Sequence, residues 1–229
     1  MPVELRAATA DAQGNTPTAT PAAPAGAAAG DLLLAFHASD VDGNFAAMTA
    51  PAGWTQIGLG PTGATLPFLK VWQKVATGSE STSYGFPDST GANGSAAIVA
   101  LYGQHASTPV SAGPTFSSST TASTSHVAPS VTGVAGGVLL TAHVAHSNNT
   151  TRTYTPPSGM TELADPTSGD NGWIALGVNM LALSAGGATG TKTATCSGST
   201  PWVTVSLVVA PAAAGVSVAR RTGGFLQLL

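Results

Sequence analysis

Five histidines, one cysteine and ten carboxylates are the side chains of this 229-residue chain suited to acid–base, nucleophilic or metal chemistry. His143 and His146 stand three apart. That spacing aligns two ligands on a helix, but on a strand it turns them to opposite faces, so the pair does not read as a metal site. Asp40-Val41-Asp42-Gly43-Asn44 sets three oxygen-bearing side chains around a glycine, as calcium loops do, which makes Asp40, Asp42 and Asn44 the calcium candidates. The distant bidentate carboxylate of an EF-hand is missing, and Asp or Asn before Gly also builds an ordinary hairpin turn, the favoured reading here. Cys196, between Thr195 and Ser197 on an expected strand, reads as a small buried hydrophobe. Glu80, Asp88, Glu162, Asp165 and Asp170 fall in expected loops, and nothing picks from them the two acids about 5–10 Å apart that a glycosidase needs. Neither a Gly-x-Ser-x-Gly elbow nor a phosphate loop with its lysine is present. No catalytic residue and no cofactor are therefore assigned, and the chain is not read as an enzyme. Of the aromatic residues, Trp72 and Tyr84 are the candidates for a sugar contact, set against the commoner role of large rings as core.

The composition says what must position these residues. Charged residues make up 7% of the chain, against about 25% in an average soluble domain. Hydrophobic residues reach 43%, which supports a packed core and excludes a disordered chain. Gly, Pro, Ser and Thr are poor helix formers but suit strands and tight turns. The net charge of −3 comes without a basic stripe, so nucleic-acid binding lacks its electrostatic footprint. No run of about 18 apolar residues is present to span a membrane as a helix. The single cysteine rules out an internal disulfide framework. Met1-Pro2-Val3-Glu4-Leu5-Arg6 contains no apolar core of signal-peptide length, and the expectation is synthesis in the cytoplasm without a secretion signal.

Strand-like segments recur about 107 residues apart. Gly30-Asp31-Leu32-Leu33-Leu34-Ala35-Phe36-His37-Ala38 is answered by Gly137-Val138-Leu139-Leu140-Thr141-Ala142-His143-Val144-Ala145. Pro51-Ala52-Gly53-Trp54-Thr55 is answered by Pro157-Ser158-Gly159-Met160-Thr161. Phe68 to Ala76 matches Trp173 to Ser184, and Ser95 to Tyr102 matches Trp202 to Val209. Within these runs the period is near two. Leu69, Val71, Gln73 and Val75 face one way and Lys70, Trp72 and Lys74 the other, while Val203, Val205, Leu207 and Val209 form one apolar face. Alternation of this kind predicts antiparallel strands over a core. Either half alone would leave apolar faces and sheet edges open. The expectation is an all-β, jelly-roll-like antiparallel sandwich over 1–211, built from two degenerate repeats at about 25–110 and 130–211. The Ser/Thr-rich link Ser111 to Ser125 reads either as a flexible loop or as an extended edge strand, with the balance slightly towards the strand. Residues 212–229 are expected to form a C-terminal assembly tail in which Arg220, Arg221, Phe225, Leu226, Leu228 and Leu229 contact a neighbouring subunit, with the chain's own sandwich as the second choice of packing surface.

The segments 30–33, 51–55, 71–76, 83–86 and 96–103, in that order, resemble a β-module of minor tail and fibre proteins, or head-decoration proteins, of phages infecting high-GC Gram-positive bacteria, and of some surface proteins of those bacteria. The resemblance covers about 25–110, with 130–211 as a degenerate second copy in which Met160 replaces the motif tryptophan. It implies a structural component on the virion surface that associates with other tail or capsid proteins and with copies of itself, and no enzymatic site to carry over. The alternative reading is a carbohydrate-binding module that attaches to a host-wall glycan.

Overall fold

The computed structural model describes residues 1–13, 18–40, 45–63, 65–88, 93–147, 150–168 and 173–213. Among these the chain is all-β. Its first half holds β1 (Glu4–Gln13), β2 (Thr18–Ala19), β3 (Leu32–Ser39), β4 (Thr55–Leu59), β5 (Phe68–Val75), β6 (Phe86–Pro87) and β7 (Gly94–Tyr102). The second half holds β8 (Val110–Ala128), β9 (Thr132–Gly133), β10 (Val138–His146), β11 (Tyr154–Thr155), β12 (Thr161–Ala164), β13 (Ile174–Ala182), β14 (Gly187–Ala188) and β15 (Lys192–Val209). The one helical element among the described residues is the 3-10 turn Phe45–Ala47, and no helix there is long and apolar enough to cross a membrane.

Two large antiparallel sheets dominate, with strand orders β1-β7-β3-β5-β4 and β8-β15-β10-β13-β12. β15 outruns β10 and takes β11 on the same side. The orders match strand for strand, and the registers match as well. Leu32 lies between Val75 and Leu101, and Val138 lies between Ala182 and Val209. β4 bulges between Gln56 and Gly58, and β12 between Glu162 and Ala164. β1 bulges between Leu5 and Ala7, and β8 between Val110 and Ala112.

This register sets Leu32 in the place of Val138, one residue away from the alignment of Gly30 with Gly137. Gly30 instead answers Gly136; both take a positive φ, +90° and +74°. With two adjacent glycines to choose from, the sequence pattern selects the wrong one. A one-residue slip exchanges the faces of a strand, and the observed register makes His37 the counterpart of His143. A second difference concerns connectivity. A jelly roll weaves Greek keys between two sheets, whereas here β3, β4, β5 and β7 stay in one sheet and β10, β12, β13 and β15 in the other.

The inner faces share one apolar cluster. Leu32, Leu34, Phe36, Val99 and Leu101 come from the first sheet, and Leu140, Val144, Val178, Val203, Val205 and Leu207 from the second. Burial of each such side chain is worth roughly 1.5–3 kcal/mol. β4 lies against β8 and β1 against β12. The first contact needs glycine, because a Cβ on Gly58 would come within 3.0 Å of Phe116 and Pro114. The turns into β4 and β12 are also alike. Trp54 N donates to Pro51 O and Met160 N to Pro157 O, at 3.3 and 3.0 Å. Gly53 and Gly159 hold φ of +87° and +77°, as the third position of a type II turn demands.

Candidate functional site

The side chains with chemistry to offer gather on the outer faces of the two sheets. On the first, alternation along β3 and β5 sets His37 opposite Lys70. His37 Nε2 lies 3.1 Å from Asp88 Oδ1, with both side chains fully buried. The approach is close but not directed, because no atom of either side chain completes a hydrogen bond in good geometry. Phe86 tilts over the imidazole at 5.5 Å. Lys70 Nζ donates to Met48 O at 2.8 Å. Burial draws the Lys70 ammonium below its ordinary pKa, and the Asp88 charge opposes that shift. Asp88 fits only because Gly94, beneath it, has no Cβ. Asp40 Oδ2 accepts from Asn93 N and Nδ2 at 3.0 and 2.8 Å, tying the end of β3 to the start of β7. Its calcium-loop companions Asp42 and Asn44 lie outside the described residues.

The structure brings the two sugar candidates together and buries both. Trp72 is 8% and Tyr84 4% exposed, in a cluster with Leu33, Ile98 and Phe86. Trp54 meets Tyr84 edge-on at 5.3 Å. Lys74 bridges Glu80 and Tyr84, and Glu80 also binds Tyr84 directly. Burial alone would raise the Glu80 pKa, but Lys74 and the Thr77 donors outweigh it and hold the carboxyl below its ordinary range. Trp54, in the same group, is only partly buried.

On the second sheet, His126 stacks on Trp202 at 5.5 Å and sits between two partners. Its Nδ1 lies 2.8 Å from Tyr154 Oη and its Nε2 2.9 Å from Ser123 O. A carbonyl only accepts, so Nε2 carries the proton and Tyr154 donates to Nδ1. His143, fully buried, makes a 3.3 Å contact to Lys192 O through Nε2 and a 3.4 Å contact to Asn179 Nδ2 through Nδ1. Burial lowers both imidazoles to a pKa of about 4 and pushes the Tyr154 phenol well above its ordinary value. Asp165 Oδ2 accepts from Tyr154 N at 2.9 Å, and burial raises that carboxyl to about 6. His126, His143 and Tyr154 are neutral near pH 7 and bonded to one another or to backbone, which suits them to holding a fold, while Asp165 Oδ1 and Asn179 Oδ1 complete no hydrogen bond.

Cys196 is buried beside Tyr154 and Ala194, and burial raises its thiol pKa. His105 caps its own turn, its Nδ1 accepting from Ser107 N and Thr108 N. Arg220, Arg221, Phe225, Leu226, Leu228, Leu229 and Asp170 lie outside the described residues. A recess of about 320 Å³ beside β9 and β14 is lined by Gly133 and residues 181–189, none ionisable. Among the described residues no three His, Cys, Asp or Glu side chains converge as metal ligands. Sequence reasoning missed the His37–Asp88–Lys70 and His126–Tyr154–His143 groupings. The first is set by strand register, and the second spans 28 residues between His126 and Tyr154 with no local signal. No family model matches the chain, and neither does any curated protein or solved structure.

Proposed function

We propose that the protein is a structural component of a tailed-phage particle, displayed on the virion surface as a minor tail or tail-tip component or as a capsid decoration or head-fibre protein. The observation that supports this most directly is the burial of six of the side chains able to do chemistry. His37, Lys70, Asp88, His126, His143 and Tyr154 are each at most 7% exposed and serve internal contacts. We read the architecture as a sandwich of two degenerate repeats, supported by the matching strand orders, registers and bulges. Such a body presents a shape and a charge-poor surface, with 7% charged residues in the chain. Assembly is assigned to β-surfaces and to the apolar tail over 212–229, with other virion proteins and copies of the same chain as partners. Mass spectrometry of washed, purified particles is the test. The chain should appear at a fixed copy number, and its absence from the particles overturns the reading.

A further inference from the structure

Apart from the two-residue β11, four strands bound the two large sheets, and they guard their open edges unequally. An open edge offers unpaired N–H and C=O groups to another chain, and proteins blunt it with shortness, charge, bulges or cover. β4 has five residues and a bulge. β12 has four residues, a bulge and Glu162. β1 carries Glu4, Arg6 and Asp11, and it is tied to the following segment by Thr9 Oγ1 to Ala22 O and Thr20 N to Asp11 Oδ2. β8 differs. It runs for 19 residues without an Asp, Glu, Lys or Arg, and among the described residues it pairs with β15 alone. Its bulges fall elsewhere and leave Thr115 to Ser119 in unbroken register with Ser206 to Trp202.

We propose that this stretch of β8 is the docking edge for a second copy of the chain, the two β8 strands pairing antiparallel across a two-fold axis. A two-fold interface must be complementary to itself. Like charges placed directly opposite one another on paired strands are destabilising. In a chain of net charge −3, the acid-bearing edges of β1 and β12 repel their own copies. On β8, Thr115, Ser117 and Ser119 set hydroxyl against hydroxyl, a favourable cross-strand pairing. The second sheet then continues into its partner's. The proposal rests on the self-association part of the proposed function and is independent of where on a particle the protein sits.

The test is the molar mass of the purified full-length chain by light scattering across a dilution series. Wild type should approach twice 22.4 kDa on concentration. S117K and S117E should each weaken self-association by about tenfold or more, an equimolar mixture of the two should restore it, and Q56K on β4 should change nothing. Circular dichroism checks that each variant folds. Should the S117 variants fail to fold, hydrogen exchange of the wild type replaces them. The amides of 115–119 that point away from β15 should then be protected in concentrated solution and not in dilute solution, and equal protection of those amides overturns the proposal. A monomer at every concentration sinks both the docking edge and the self-association reading. An oligomer that S117K and S117E leave intact, but removal of 214–229 dissolves, sinks the docking edge alone.

Discussion

His126 and His143 are neutral in the fold and protonate there only near pH 4, whereas in the unfolded chain they protonate near 6.5. Above about pH 6.5 both states are neutral and the histidines add no pH dependence. As pH falls from there towards 4, the unfolded state takes up protons first. Each site then removes about 1.4 kcal/mol of stability per pH unit. Asp165 acts in the opposite sense. Its carboxyl, raised to about 6 in the fold, binds a proton there before the unfolded chain does, so it returns part of that loss below pH 6. The net expectation is a lower urea midpoint at pH 5 than at pH 7, flattened in His126→Gln. Equal midpoints at the two pH values contradict the burial of these rings. Tyr154→Phe removes the donor to His126 Nδ1 and should cost about 1 kcal/mol at pH 7, read from the same urea transitions.

At the scale of the element, the turns before β4 and β12 make a matched pair. Both glycines hold a positive φ, which costs an L-residue about 1–2 kcal/mol. Gly53→Ala and Gly159→Ala should therefore destabilise by similar amounts of that order in thermal or urea unfolding. A penalty at only one turn would show that the two are not equivalent. These turns were legible in the sequence because Pro-x-Gly states its own backbone conformation. The long strands β3, β5, β7, β10 and β13 and the 202–209 part of β15 were legible as apolar runs, with alternation plainest in β5 and β15, and Ser111 to Ser125 was legible as an extended edge. β1 was missed as a member of the first sheet, since its Ala- and Thr-rich run shows no apolar period. β2, β6, β9, β11 and β14 have two residues each, too few to carry a period at all. The register slip at Gly30 arose because glycine spacing is a looser guide than hydrogen-bonded pairing. The groupings around Asp88 and Tyr154 depend on pairing between distant segments, which no local pattern records.

Across the whole molecule, the shared interior decides how the chain unfolds. Leu34 from the first sheet and Leu207 from the second are both 0% exposed in the same cluster. Neither sheet can expose its inner face without opening the other's. Leu34→Ala and Leu207→Ala should each cost about 2–5 kcal/mol through lost burial and the cavity left behind. The more telling readout is where the cost appears. In one cooperative unit, either substitution lowers the hydrogen-exchange protection of β3 and β10 together, and unfolding stays a single transition. In two independent halves, Leu34→Ala would loosen β3 and leave β10 unchanged, and calorimetry would resolve two transitions. The sheets' mutual contacts, β4 on β8 and β1 on β12, predict the first outcome. They tie the two sheets together at both lateral edges, so the inner faces are expected to open together.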